Sequence, residues 1–356
     1  MTSLLTRPSA PAVTSAPPHR LRFGVMGYGY WGPNLARNVA SCEQAVLIGI
    51  ADLSAARLVA ARSSHPLSVL TTDHRELLQD PSLDAVIVAT PPETHRDLVI
   101  EALESGKHVL VEKPLATSTR DAEEMVRVAR ACDRALMVDH TFLFTGAVKK
   151  MKQYFVAGEV GEVYYYDSTR INLGLFQHEA NVIWDLAPHD ISIMLYLLGQ
   201  PVRKVSAIGA SHVDTNVENI AYITLQFDTP MLAHFHVNWL APAKVRRTII
   251  GGSKKMLVYD DAELDDKLRV YDSGAQLAAS REAMYRTFVE YRTGDVLIPK
   301  LEKGEALAVE MKHFVNVIRG LEAPISGGEL GIEVVRVIEA AQRSLRNGGA
   351  AVEVEA

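Results

Sequence analysis

Cysteine is nearly missing from this chain: Cys42 and Cys132 are the only two among 356 residues. With no Cys-x-x-Cys pair and no Cys/His ligand spacing, neither a disulfide framework nor a structural zinc is expected, and no metal is assigned. Both cysteines fall in helix-like segments and read as small core residues in a reducing, cytoplasmic setting. No apolar run approaches the roughly 20 residues that a membrane-spanning helix needs. An excess of positive charge is absent too, since 37 Lys and Arg face 43 Asp and Glu for a net charge of -6. Nothing therefore suggests a general attraction to nucleic acid or to an anionic membrane. The first twenty residues hold no acid and are rich in Ser, Thr, Pro and Ala. Pro8, Pro11, Pro17 and Pro18 break any apolar core that a signal peptide would require. Lack of acids together with Arg7 and Arg20 is compatible with an organelle transit peptide, but a disordered tail over residues 1–20 is the better reading.

What remains is ordinary globular material, 48% hydrophobic and 22% charged, in a length suited to two domains. After the tail, apolar runs alternate with helical patterns. Strands are expected at 21–26, 46–51, 69–71, 85–89, 108–111 and 135–139, with helices between them. The run at 85–89, Ala-Val-Ile-Val-Ala, is wholly apolar, as in a strand covered on both faces of a parallel sheet. Strands joined by helices of roughly 10 to 15 residues imply right-handed crossovers, hence an α/β doubly wound Rossmann architecture over residues 21–141. Beyond residue 142 the pattern changes. A helix at 146–156, a strand at 162–171 and a helix at 183–198 precede short strands at 202–208, 220–227, 232–239, 245–250, 256–259 and 268–271. Successive strands without helices between them argue for a mostly antiparallel sheet in an α+β domain spanning 142–356. Two closing helices, at 305–319 and 332–346, are expected to pack back on the body.

Gly27-Tyr28-Gly29-Tyr30-Trp31-Gly32 fits Gly-x-Gly-x-x-Gly between a strand and a helix. Gly27 permits the sharp turn, Gly29 lets the backbone approach a pyrophosphate, and Gly32 allows close helix–strand contact. The helix N-terminus then presents free N–H groups to the anion. Asp52 ends the second strand, where a carboxylate binds the adenosine ribose and favours NAD; Asp52 as a helix cap is the plainer alternative, and nearby Arg57 leaves NADP open. Thr90-Pro91-Pro92 lies at the carboxyl end of the apolar strand, where ligands of such sheets gather, with His95 in the following helix as a cofactor contact or a packing residue.

Glu112-Lys113-Pro114 sits at the end of the next strand, so Lys113 would share the cleft with the cofactor. A desolvated lysine there can exchange a proton with an alcohol, and Pro114 biases it towards an extended backbone. In Trp184-Asp185-Leu186-Ala187-Pro188-His189-Asp190, Asp185 and His189 are four apart and share a helix face. Pro188 places the pair near a helix start, where Asp185 is either an N-cap or a substrate ligand and His189 titrates in a useful range. Asp190 projects about 100° away and is the weaker candidate. Alternation along the strand at 162–171 puts Tyr164, Tyr166, Ser168 and Arg170 on one face, continuing to Asn172. That face either recognises substrate hydroxyls and phosphate or meets solvent. His234, His236 and Asn238 share another strand face, read as a packing or solvated surface.

With GYGYWG, VEKPLA at 111–116, WDLAPHDIS at 184–192 and the terminal EMKHFVNVIRG, the chain resembles the glucose-fructose oxidoreductase/inositol dehydrogenase/MocA family over about residues 21–346. The resemblance implies a Rossmann domain followed by an α+β domain with a large open sheet used for dimer or tetramer contacts. It implies a nicotinamide-dependent sugar dehydrogenase with Lys113 catalytic, Asp185 and His189 as its Asp-x-x-x-His element, and Gly27 to Gly32, Asp52, Thr90, Pro91, His95, Glu112 and Lys113 about the cofactor. Lys113, Arg170, Asn172, Asp185 and His189 would face the substrate. Ala187 stands where many members have glycine. The variant looks most like members acting on nucleotide-linked amino sugars at the 3-position, with cyclitol or free-sugar dehydrogenases as the alternative. A non-catalytic dinucleotide sensor, like the galactose-pathway repressor of this family, is disfavoured by the presence of both Lys113 and His189.

Overall fold

Leu21–Met26 forms β1, and its last four residues are buried, as expected of a strand at the middle of a sheet. In the computed structural model, which describes residues 19–174, 180–213, 217–277 and 289–355, β1 lies between β2 (Ala45–Ala51) and β4 (Ala85–Val88). With β3 (Val69–Thr71), β5 (His108–Glu112) and β6 (Leu136–Asp139) they make a six-stranded parallel sheet in the order β3-β2-β1-β4-β5-β6. The connections are α1 (Gly32–Ser41), α2 (Ala55–Ser64), the short α3 (His74–Leu78), α4 (His95–Glu104) and α5 (Thr119–Ala131). Strand order reverses between β1 and β4, which opens a crevice at their carboxyl ends. Residues 1–18 of the expected tail lie outside the described residues, whereas Arg20 donates from Nε to the Ala45 carbonyl at 3.0 Å.

The chain then turns through a short 3-10 segment, Thr141–Phe144, into α6 (Gly146–Val156). A second sheet is built from β7 (Val163–Leu173), β8 (Lys204–Ala210), β9 (Ile220–Gln226), β10 (Leu232–Asn238), β11 (Leu240–Gly252), β12 (Met256–Asp260) and β13 (Leu268–Tyr271). A separate hairpin, β14 (Gly274–Leu277) with β15 (Val289–Arg292), precedes β16 (Val296–Leu297), and β17 (Val352–Glu353) ends the chain. The nine-stranded order is β16-β13-β12-β11-β7-β10-β9-β8-β17. All neighbours are antiparallel except β7 and β10. One face is dry: Ala221, Ile223, Leu225, Ala233, Phe235 and Val237 are buried. The other face leaves Tyr165, Ile208, Tyr222 and Leu232 exposed. α7 (Val182–Leu198) packs on β7, β9 and β10.

The last two helices are α8 (Ala306–Ile318) and α9 (Gly328–Arg346). α8 meets α1 and the 3-10 segment, while α9 reaches across both sheets, meeting α5, β6, α7 and β8. β11 runs longer than the strand expected at 245–250 because its start is irregular. Pro242 cannot donate a ladder hydrogen bond, and the register against β7 jumps between Leu240 and Val245. The short strands β16 and β17 carry too few residues to show a period and are not evident in the sequence. Both cysteines are free and half-buried at helix C-caps, Cys42 after α1 and Cys132 after α5.

Candidate active site

The glycine loop after β1 is shaped by steric exclusion. Gly27 holds φ +94°, and a Cβ there would stand 2.4 Å from the Ala89 carbonyl oxygen. A Cβ on Gly32 would stand 2.2 Å from the Gly27 oxygen, so α1 begins against the turn itself. Gly29 is different, with only the Arg57 guanidinium near, at 3.8 Å. Its outer side is open, as a site for an approaching pyrophosphate requires. No side chain caps α1 and no acid lies in its first turn, so its N–H groups remain available to an anion. The loop residues divide in role. Tyr28 is buried in the core, whereas Tyr30 is 84% exposed and stacks beside Trp31. The loop fits a dinucleotide.

Asp52 does not cap α2; Ser54 does, accepting from the Arg57 N–H. Asp52 instead accepts from the Tyr28 N–H at 2.7 Å and the Ser54 N–H at 2.8 Å, with Arg57 Nη1 3.5 Å away. It thereby ties the end of β2 to the glycine loop. His95 is fully buried, and its two nitrogens meet the Pro114 and Thr90 carbonyls, each at 2.9 Å. No ring nitrogen is left for a cofactor, so the expected contact is corrected to a brace between the turns carrying Thr90, exposed Pro91 and Pro114.

Lys113 follows β5, and its peptide bond to Pro114 is cis. Its Nζ donates to the Asp185 carbonyl at 3.0 Å and lies 3.3 Å from Asp185 Oδ1, with 19% of the side chain exposed. The ammonium therefore spans from the first sheet to α7. Asp185 is not the N-cap: Asn181 is, accepting from the Ile183 and Trp184 N–H groups. Pro188 is the seventh residue of α7, deeper than the sequence suggested. The other Asp185 oxygen accepts from Trp239 Nε1 at 3.0 Å, so this carboxylate fixes Lys113 against a buried tryptophan. One turn on, His189 meets the edge of the Phe142 ring with centroids 5.0 Å apart. Its Nδ1 is buried with no hydrogen-bond partner. Burial first, then the charges of Lys113 and Arg170, push its pKa well below the ordinary histidine range.

Arg170 is not free to bind substrate. It forms a bidentate pair with Asp190 at 2.7 and 2.9 Å, both side chains nearly sealed, and also lies 4.4 Å from the Phe142 ring centroid. Asp190, the weaker candidate, is thus the partner that consumes it, and the pair clamps β7 to α7. On the face expected to carry Tyr164, Tyr166, Ser168 and Arg170, Tyr164 is 50% exposed, while Tyr166 and Ser168 are buried. Half-buried Asn172 lies two residues beyond Arg170, near the end of β7.

Beside these groups lie Arg246 and His140, which sequence reading missed, and Glu112, which it placed about the cofactor. Arg246 stands opposite Arg170 in register, 5.6 Å from the Phe142 ring centroid, with Nη1 3.3 Å from Asp261 and a buried Nε that has no partner. His140 is 1% exposed with neither ring nitrogen hydrogen-bonded, and burial, reinforced by Lys113, lowers its pKa to about 3. Glu112 turns its carboxyl to the Lys113 main-chain N–H, 3.0 Å away, and to Asp139. On the far sheet, Tyr222 stacks on His236 at 4.4 Å and His234 lies 3.5 Å from Asp167. Among the described residues, no group of His, Cys, Asp or Glu is placed to hold a metal ion. Nor is any described helix long and apolar enough to cross a membrane.

Two family models match the chain. Residues 21–140 match an oxidoreductase family with an NAD-binding Rossmann fold, and residues 148–258 match the GFO/IDH/MocA C-terminal domain. The chain is 26% identical over 340 residues to a myo-inositol 2-dehydrogenase of Thermotoga maritima, covering 91% of this chain and 96% of the relative. It is 26% identical over 343 residues to a scyllo-inositol 2-dehydrogenase (NAD(+)) of Bacillus subtilis, covering 93% and 95%. The fold is similar to that of a UDP-N-acetylglucosamine 3-dehydrogenase from Acidithiobacillus ferrooxidans, with TM-score 0.79, 23% identity and coverage of 93% and 99%.

Proposed function

Because the chain belongs to the Gfo/Idh/MocA oxidoreductase family, with its NAD-binding Rossmann fold, we propose that it oxidises a secondary alcohol of a sugar or cyclitol, or reduces the matching ketone, at the cleft between Lys113 and His189. The observation that carries this reading is the reach of Lys113 Nζ across to Asp185, one helical turn from His189. Bound on the glycine loop, NAD supplies the hydride acceptor or, in reverse, NADH the donor. The protein handles the proton. Lys113, held by Asp185, donates a hydrogen bond that stabilises the developing alkoxide. His189, kept neutral by its surroundings, takes the hydroxyl proton as the carbon becomes a ketone.

The finer reading is a nucleotide-activated amino sugar attacked at C3. Supporting it, Arg246 offers a buried guanidinium N–H without a partner beside the Phe142 ring, which suits an anionic group on the substrate. The inositol 2-dehydrogenases among the relatives support the cyclitol alternative. The exposed apolar side of the second sheet, with Tyr165, Ile208, Tyr222 and Leu232, is proposed as the contact between copies in a homodimer or homotetramer. A panel of UDP- and dTDP-sugars, inositols and free sugars, followed by NADH absorbance, tests the assignment. Turnover is expected with nucleotide sugars, with Arg246→Met raising KM about tenfold or more for them. Turnover with inositols alone, unaffected by Arg246→Met, would replace the finer reading by the alternative. No hydride transfer with any polyol would reject the enzyme assignment.

A further inference from the structure

Three carboxyl groups that the proposed chemistry does not use meet beside Lys113. Glu112 ends β5 and Asp139 ends β6, and the two are in register across neighbouring strands. Glu310 comes from α8, far along the chain. Asp139 and Glu310 are 2% and 1% exposed. Asp139 has donors of its own: Trp31 Nε1, from the glycine loop, reaches Oδ2 at 3.2 Å, and the Thr141 hydroxyl donates to Oδ1. Glu112 accepts the Lys113 main-chain N–H at 3.0 Å. Glu310 has nothing comparable. Both of its oxygens are sealed from solvent, and no N–H or hydroxyl group donates to either. The neighbour within hydrogen-bonding reach of its carboxyl is Asp139, which Glu112 also meets.

Three carboxylates this close cannot all carry charge in a buried place. Asp139, already served by two donors, is the member suited to be ionised. A neutral Glu310 then has an acceptor for its O–H, and a neutral Glu112 has the same. Burial and the Asp139 charge push both glutamates well above the usual carboxylate range. The charged groups facing Glu310 are Asp139 from β6 and Glu112 from β5; Lys113 acts on Glu112 in the opposite direction.

We infer that Glu310 is a positioning residue, a neutral acid donating to Asp139 and closing a carboxyl triad that ties α8 to the glycine loop through Trp31 and to the Lys113 backbone through Glu112. Its bearing on turnover rests on the Lys113 site proposed above; its protonation does not. The triad gives the far end of the chain a direct hold on two segments of the cofactor crevice. A glutamate rather than an apolar residue is needed there because Asp139 would otherwise face α8 with one acceptor position unfilled.

Infrared difference spectroscopy on the full chain at neutral pH, wild type against Glu310→Gln, reads the C=O stretch of a buried neutral carboxylic acid. One such band is expected to vanish in the variant, and an unchanged band pattern would overturn the inference whatever the substrate proves to be. If Glu310→Gln does not fold, Glu112→Gln is required to lose a band of the same kind, and its failure to do so overturns the triad. Activity then tests positioning. Glutamine keeps an N–H donor for Asp139, so kcat/KM for NAD should stay within about threefold of wild type, whereas Glu310→Leu should lower it about tenfold. Equal values for the folded Gln and Leu variants, with folding checked by thermal melting, would contradict a positioning role.

Discussion

His189 shows how a residue's role is set by what surrounds it. Its ring stands against Phe142, and the charges of Lys113, Arg170 and Arg246 together with His140 all disfavour its protonated form, after burial, which is the largest cause. A histidine with a depressed pKa is neutral, and able to accept a proton, at every pH above that depressed value. The acid limb of the pH–rate profile for alcohol oxidation is therefore expected below about 6.5, with kcat flat from about pH 7.5 to about 6. A limb centred at or above the ordinary histidine value would contradict the assigned environment. At this scale the sequence is partly legible. The four-residue spacing of Asp185 and His189 survives in α7, and the strand period places Arg170 on a buried face. What the period does not reveal is consumption: Arg170 is spent on Asp190, and His95 on two carbonyls, because their partners come from other elements. Arg246 lies within the expected strand at 245–250, but the residues it meets, Arg170 across the sheet and the Phe142 ring, come from other elements and leave no mark in the local pattern.

At the scale of elements, α7 is the piece that turns position into geometry. Asn181 opens it, capping through Oδ1 while its Nδ2 donates to Glu218 at 2.8 Å and Gln342 at 2.7 Å. This one residue thereby sets the angle at which Asp185 and His189 are presented. Asn181→Ala is expected to lower unfolding free energy by about 1–2 kcal/mol, read by denaturant melts. An unchanged midpoint and slope would show that the cap is dispensable. The helix start was legible to within a residue, 183 expected against Val182, but Pro188 suggested a helix barely begun, whereas six helical residues precede it. The strands of the first sheet were legible almost residue for residue, since burial on both faces writes continuous apolar runs such as residues 85–88. The two-residue strands β16 and β17 have no such mark. Asp139 and Glu310 likewise leave no trace in periodicity, as an acid at a strand end or in a helix reads as solvated until the packing is known.

In the whole molecule, the proposed cleft lies where two sheets and the returning C-terminal helices meet. Lys113 belongs to the first sheet, and its partner Asp185 to a helix lying on the second, with α9 reaching across both. The glycine loop and the Lys113–Asp185 pair are thus separable: Gly27 to Gly32 and Asp52 lie on the first sheet alone and need nothing from Lys113 Nζ. That separation makes one variant decisive. Lys113→Ala should bind NAD within about threefold of wild type by fluorescence titration, yet lose roughly 100-fold or more of kcat for the best alcohol of the panel. Near-normal turnover in Lys113→Ala would contradict the account, since the ammonium held between the two sheets would then have no part in the chemistry.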